Sequence, residues 1–288
     1  MQSPAELVVA TEAVADGSVT RRELRRAFTK MHRNVYVRTD CVLTASDRAR
    51  AAWLWSGRDA ALVGLSAAAL LGSKWVPADA PAEIGRARRP GAPGIVVHSG
   101  EISDDELCEV EGLECTTVER TAYDLGRRLA LTLAVIRIDA LLNARPVPIA
   151  HIQALADRYP GARHIRRLRS ALALVDGGAE SPQESRTRLL LMQAGLPPPV
   201  TQIEVRDDWG RVSARIDMGW PEWKVGVEYD GAQHWTDARQ HARDIERLEF
   251  LAALGWRIVR VSASQLRSNP AGIVARVMQA LRRAGCPR

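Results

Sequence analysis

The run Gly195-Leu196-Pro197-Pro198-Pro199 restricts the fold of this chain more than any other feature of its sequence. Three successive proline rings remove three backbone donors, and each one disfavours helical geometry in the residue before it, so no helix crosses this point. Just upstream, Ser181-Pro182 offers a cap followed by proline in the first turn, which predicts a helix over residues 183–194 closed by Gly195. Downstream, residues 201–206 and 211–218 read as antiparallel strands joined by the turn Asp207-Asp208-Trp209-Gly210. A second turn at 219–223 leads into a strand over 224–230. Residues 239–254 read as a helix ended by Gly255, then come a strand over 256–261 and an amphipathic helix over 270–283. The order α-β-β-β-α-β-α is that of an α/β domain able to bury its own core.

Period two along Lys224-Val225-Gly226-Val227-Glu228-Tyr229-Asp230 puts Val225, Val227 and Tyr229 on one face and Glu228 and Asp230 on the other. Neighbouring carboxylates at the end of an apolar strand repel each other, and Asp217 ends the preceding strand. A hard divalent cation, Mg²⁺ or Mn²⁺, compensates such charge through carboxylate oxygens; a solvated strand end is the alternative. A strict hairpin about 219–223 pairs Asp217 with Val225, so bringing Asp217 to Glu228 requires a longer turn or an offset.

Glu180-Ser181-Pro182-Gln183-Glu184-Ser185-Arg186, Asp217, Glu228-Tyr229-Asp230-Gly231 with His234, Asp244-Ile245-Glu246-Arg247 and Leu254-Gly255-Trp256 follow one another in the last third of the chain. This ordered set resembles the PD-(D/E)XK restriction-endonuclease-like core, and more narrowly the bacterial domain grouped with very-short-patch-repair endonucleases. The resemblance implies a mixed sheet flanked by helices. It also implies that Asp217 and Glu228 ligate Mg²⁺ or Mn²⁺, that Glu184 reaches the same site from the preceding helix, and that a DNA phosphodiester is hydrolysed. The common core carries Lys two residues after the Glu, a place held here by Asp230, which supplies no positive charge. The variant group carries Asp there with a His four residues on, so His234 is the candidate general base or phosphate contact. Glu184, Asp217, Glu228, Asp230 and His234 form the candidate catalytic set. Arg243 and Arg247 are candidate DNA contacts, and Asp244 with Arg247, three apart on one helix, share a face. The same Asp230 sustains a second reading, a non-catalytic DNA-binding regulator or antitoxin-like protein with a degenerate nuclease fold.

The chain has 288 residues, enough for two or three small domains, drawn here at 1–75, 76–178 and 179–288. Arg provides 37 of its 40 basic residues, a bias that a GC-rich genome produces by itself, so distribution says more than content. Residues 1–90 carry +5, 91–178 carry −2 and 179–288 carry +3, making the two ends the polyanion-facing parts. At the N-terminal end a helix is expected over 3–15. Thr20 with Glu23 then makes a capping box for a helix over 21–30, which holds Arg21, Arg22, Arg25 and Arg26 ahead of a strand over 34–38. Helices are expected over 47–55, capped by Ser46, and over 58–71.

This α+β stretch, with Ser66-Ala67-Ala68-Ala69-Leu70-Leu71-Gly72 and Thr116-Thr117-Val118-Glu119-Arg120-Thr121-Ala122-Tyr123-Asp124-Leu125, resembles the winged-helix abortive-infection-type antitoxin regulators. Only about seven residues separate Arg26 from the strand, too few for a further recognition helix, so phosphate contact by the four arginines is expected in preference to base reading. Four scattered cysteines with no CxxC pair indicate reduced thiols, with neither a disulfide framework nor a zinc site. No apolar run approaches a bilayer span and the N-terminus lacks a basic leader, so a cytoplasmic protein without a membrane partner is expected. No motif decides between a monomer, a homo-oligomer and a complex with a protein partner.

Overall fold

Residues 5–85, 90–231 and 238–287 are described in the computed structural model, the side chains of 238–242 excepted. They form two units, Met1–Ala173 and Leu174–Arg288.

The first unit opens with β1 (Leu7–Val9), α1 (Ala10–Ala15), α2 (Arg21–Ala27), β2 (Phe28–His32) and β3 (Val35–Arg38), whose strands pair antiparallel in the order β1-β3-β2. The capping box is present: Thr20 Oγ1 accepts from Glu23 N, and Glu23 Oε2 accepts from Thr20 N at 2.8 Å. The helices expected over 3–15 and 21–30 are both shorter. Leu7–Val9 and Phe28–His32 pair with the two sides of β3, and that pairing overrides local helix preference. Arg21, Arg22, Arg25 and Arg26 are all exposed on α2, which runs directly into the β2–β3 hairpin.

Next come α3 (Ala45–Trp55), β4 (Ala61–Leu62), α4 (Gly64–Leu70), β5 (Ala82–Gly85), β6 (Ile95–His98), β7 (Leu107–Val110) and β8 (Leu113–Thr116). Thr44, and not Ser46, caps α3, its hydroxyl and amide both bonded to Asp47. The five strands form one sheet in the order β6-β5-β4-β8-β7 over a core that includes Ala52, Leu62, Ile84, Ile95 and Cys115. Residues 58–71 are therefore not one helix. Strand β4 lies at the centre of this sheet, so a boundary at residue 75 would divide a single core. The β7–β8 hairpin turns on Glu111 and Gly112, both left-handed (φ 51° and 74°), and brings Cys108 and Cys115 face to face with 3.6 Å between sulfurs. Burial pushes the Cys115 thiol up to about 12.

Helices α5 (Val118–Arg128), α6 (Leu131–Ala144), α7 (Ile149–Arg158) and α8 (Ile165–Leu172) complete the unit. Buried Arg120 on α5 bonds Glu106 and Asp124, Asp124 also receives Arg127 at 2.8 Å, and Tyr159 donates its hydroxyl to Glu106 at 2.5 Å.

The second unit comprises α9 (Pro182–Gln193), β9 (Val200–Arg206), β10 (Val212–Trp220), β11 (Val225–Asp230), α10 (Ala238–Ala253), β12 (Arg257–Ser262), α11 (Ala263–Ser268) and α12 (Pro270–Arg283). Apart from the short α11, this is the expected α-β-β-β-α-β-α order. The sheet runs β12-β11-β10-β9, antiparallel except for the β11–β12 pair, which is parallel across the α10 crossover. Leu191, Met218, Val227, Val261, Ile273 and Val277 fill one face; Ile203, Ile216 and Leu251 fill the other with Phe250 and Trp256. It is a mixed sheet flanked by helices. The unit starts at Leu174, five residues ahead of the boundary expected at 179. Arg188 Nη1 donates to the Leu174 carbonyl at 2.6 Å, and Asp176 accepts from Gly178 N and Thr201 Oγ1. Among the described residues no helix is long and apolar enough to cross a membrane.

The β10–β11 connection sets the site. Strand β10 continues through Gly219 and Trp220, and the turn is Pro221–Trp223 followed by Lys224 in left-handed geometry (φ 48°). Pairing therefore runs Trp220↔Val225, Gly219↔Gly226 and Met218↔Val227, three residues displaced from a hairpin centred on 219–223. One step further along this register, Asp217 comes across from Glu228. The glycine pair permits the close approach. A Cβ on Gly219 would stand 2.3 Å from the Val225 carbonyl oxygen, and one on Gly226 2.7 Å from the Ile258 side chain.

Candidate active site

Four elements bring charged side chains to the end of β11. Asp217 on β10 accepts from the Tyr229 amide through Oδ2 at 2.7 Å, which ties its carboxylate to the backbone between Glu228 and Asp230. Burial raises the Asp217 carboxyl to about 7, helped by the negative charges of Glu184 and Glu228 and opposed by the Tyr229 bond and by Arg247. Glu228 is buried, with both oxygens engaged by Arg247 of α10: Nη1 to Oε1 at 2.6 Å and Nη2 to Oε2 at 2.8 Å. Such a fork matches carboxylate geometry and holds the Arg247 proton above its ordinary range. Arg247 Nη2 also reaches Asp244 Oδ1 at 3.0 Å, and the other Asp244 oxygen meets Arg260 of β12 at 3.2 Å. Arg260 in turn donates to Asp230 at 2.9 Å. Asp244 thus links two arginines that hold the two acids of β11.

Glu184 is held between the N-terminal end of α9 and strand β9. Its carboxylate accepts from Ser181 Oγ at 2.7 Å, from Glu180 N at 2.9 Å and from Gln202 Nε2 at 3.2 Å, while Ser181 Oγ accepts from Glu184 N. Burial raises its pKa. It acts on Asp217 through charge.

Of the residues singled out in the sequence, Asp217, Glu228 and Asp230 come together, and Glu184 stands within electrostatic reach of Asp217. Arg247 is turned to Glu228 and Asp244, because two carboxylates close by outcompete solvent for its fork. Arg243 is exposed on α10. The four α2 arginines belong to the first unit, and His234 lies outside the described residues. Sequence reasoning missed Arg260. Its signal is the parallel crossover, which registers Arg260 beside Glu228.

Among the described residues no three Asp, Glu, His or Cys side chains are already arranged around a metal position. The donor set nonetheless fits a hard divalent cation in its chemistry. Asp217, Glu228, Asp230 and Asp244 supply four carboxylates against the two guanidiniums of Arg247 and Arg260, and Asp217 is tied to an amide. Among the described side chains, net negative charge is left over.

Residues 200–281, which span β9 to α12, match the restriction-endonuclease-like family model REase_MTES_1575. Over 191 residues the chain is 30% identical to "Uncharacterized protein Rv2248" of Mycobacterium tuberculosis (strain ATCC 25618 / H37Rv), an alignment covering 66% of this chain and 69% of that one. The chain belongs to the Rv2248 family. "Uncharacterized protein MT2308" of M. tuberculosis (strain CDC 1551 / Oshkosh) matches with the same identity and coverage. No solved structure gives a significant match. In this Rv2248-family chain the restriction-endonuclease-like match takes in Asp217, Glu228, Asp230, Arg247 and Arg260, while Glu184 lies ahead of it. The winged-helix and antitoxin resemblance of the N-terminal residues has no counterpart among these matches.

Proposed function

We propose that this protein is a divalent-cation-dependent DNA endonuclease. The observation that carries the reading is the register of β10 on β11, which sets Asp217 across from Glu228 inside the segment that matches a restriction-endonuclease-like family. Asp217 and Glu228 would hold Mg²⁺ or Mn²⁺, with Glu184 contributing charge from α9. When bound, such a cation supplies Lewis acidity to water and neutralises the scissile phosphate. The chain's own groups do the rest. The Tyr229 amide fixes the Asp217 carboxylate, Arg247 and Arg260 supply the positive charge that Asp230 cannot, and His234 is the base or phosphate contact offered by sequence. DNA is the substrate: Arg243 is exposed on α10, the helix that carries Asp244 and Arg247, and Arg21, Arg22, Arg25 and Arg26 are exposed on α2. In this reading that face of α2 is the phosphate-contacting surface of a winged-helix-like module. Replacing all four by Ala is expected to weaken DNA binding across sequences and to flatten its log–log salt dependence by about one unit per lost contact, read by fluorescence anisotropy.

The second reading, a non-catalytic DNA-binding regulator, draws on one observation: Asp230 stands in the Lys position and Glu228 is already occupied by an arginine. Incubating supercoiled DNA with Mg²⁺ or Mn²⁺ separates the two. The wild type is expected to nick or linearise it, while Asp217→Ala binds the DNA and leaves it intact. Intact DNA with the bound wild-type protein under both cations would establish the regulator.

A further inference from the structure

Glu228 stands in two relationships at once. As found, it gives both carboxylate oxygens to Arg247, yet the proposed function makes it a cation ligand. A guanidinium forked over both oxygens puts a positive charge where a hard cation approaches, so the two compete for one carboxylate. Arg247 has somewhere else to go. The same Nη2 that bonds Glu228 already reaches Asp244 at 3.0 Å, and Asp244 is steadied on its far oxygen by Arg260. Arg247 also has room to move, its side chain being 26% exposed against 8% for Glu228. A short swing about its terminal torsions keeps one ion pair and frees the other.

We infer that Arg247 is an internal counter-cation: it neutralises Glu228 while no divalent cation is bound and retires to Asp244 when one arrives, so that cation affinity is set by competition with this side chain. It acts through Glu228 and is a positioning residue. Without it, the empty site would hold a buried, unpaired Glu228 beside Asp217, an arrangement that burial makes costly. With it, the site stays neutralised until a doubly charged ion outbids a singly charged one. The inference rests on the endonuclease reading in taking Glu228 as a ligand.

Mn²⁺ titration of the full chain without DNA, by calorimetry or electron paramagnetic resonance, tests it independently of cleavage. Arg247→Met keeps length and removes the competitor, and is expected to bind Mn²⁺ about fivefold more tightly than wild type, the size of a partly exposed ion pair. Arg247→Lys, which keeps the charge and loses the fork, should fall between the two, and Glu228→Gln should bind far more weakly. A structural role for Arg247 predicts the opposite sign, since loosening a ligand weakens the site. Equal or weaker binding by Arg247→Met, with Glu228→Gln still impaired, would overturn the counter-cation and leave the metal reading standing. Unchanged binding by Glu228→Gln would overturn the metal reading and this inference together. Should Arg247→Met fail to fold, Arg247→Lys decides, because an affinity equal to wild type denies any competition by the fork.

Discussion

The two units each gather arginines and carboxylates, and the balance of charge differs between them. In the first unit Arg120, Arg127 and Arg128 meet Glu83, Glu106 and Asp124, with Tyr159 and His98 donating or sharing the remaining bonds. With Arg158, which meets Asp105 at 2.6 Å and Glu106 at 3.6 Å, four guanidiniums face four carboxylates among the described residues, centred on buried Glu106, Arg120 and Asp124. Among the described side chains of the second unit, two arginines face four carboxylates at the end of a sheet, and Asp217 bonds to a backbone amide. A network balanced in charge fixes a fold, even where Arg127 Nε and Arg128 Nη1 are left without a hydrogen-bond partner. An unbalanced one at strand ends is completed by a ligand from outside, here proposed to be a divalent cation.

The largest effect expected from this contrast comes from breaking the balanced network. Arg120→Met leaves Glu106 and Asp124, 2% and 0% exposed, without their shared cation. Removing one partner of a buried pair costs about 3–5 kcal/mol. The first unit should therefore unfold at markedly lower denaturant, followed by chemical denaturation of the full chain, while Mn²⁺ binding by the second unit is unchanged. A small cost would mean that the first network is as loosely determined as the second.

Relieving the unbalanced site should have the opposite sign. Folding raises the Asp217 carboxyl from 3.8 to about 7, so the folded state takes up a proton that the unfolded state does not hold between those values. Stability from the neutral form is complete below about pH 4 and is lost as pH rises toward 7. Asp217→Asn keeps an acceptor for the Tyr229 amide and cannot ionise. At pH 8 it should be more stable than wild type by about 2 kcal/mol, after allowance for solvent screening, and the gap should close as pH falls toward 4. Mn²⁺ should reverse the ranking at pH 8 by stabilising only the wild type. A gap independent of pH between 4 and 8 would remove Asp217 ionisation from the account.

The same contrast explains what the sequence disclosed. The order of the second unit was legible because Ser181-Pro182, Gly195 with its prolines, and Gly255 punctuate locally, each acting within a few residues of itself. The capping box at Thr20 and Glu23 was legible for the same reason. Placing Asp217 against Glu228 was not, since it depends on Lys224 adopting a left-handed φ that residues with a side chain seldom take, which moves the turn beyond Trp220. Arg260 comes to Asp230 from thirty residues away through a parallel crossover, beyond any local pattern. Strands β1 and β4 sit in helical texture and exist only because a partner strand pairs with them. Cys108 and Cys115, scattered to the eye, meet across a two-residue turn.

The smallest effect tests where one region gives way to the other. Asp176 precedes the boundary at 179 that sequence texture suggests, yet its carboxylate accepts from Gly178 N at 2.9 Å and from Thr201 Oγ1 on β9 at 3.0 Å. These bonds attach the segment 174–178 to the outer strand of the second sheet. Asp176→Ala removes these acceptors at a half-buried position where water partly replaces them, so the net loss is about 1 kcal/mol. Hydrogen exchange locates that loss. Amides of β9 and β10 should exchange faster, whereas those of α5 and α6 in the first unit should not change. Faster exchange in α5 and α6 with β9 unaffected would place residues 174–178 in the first unit, returning the boundary to 179 and removing the anchoring of β9 by Asp176 from the description of the second.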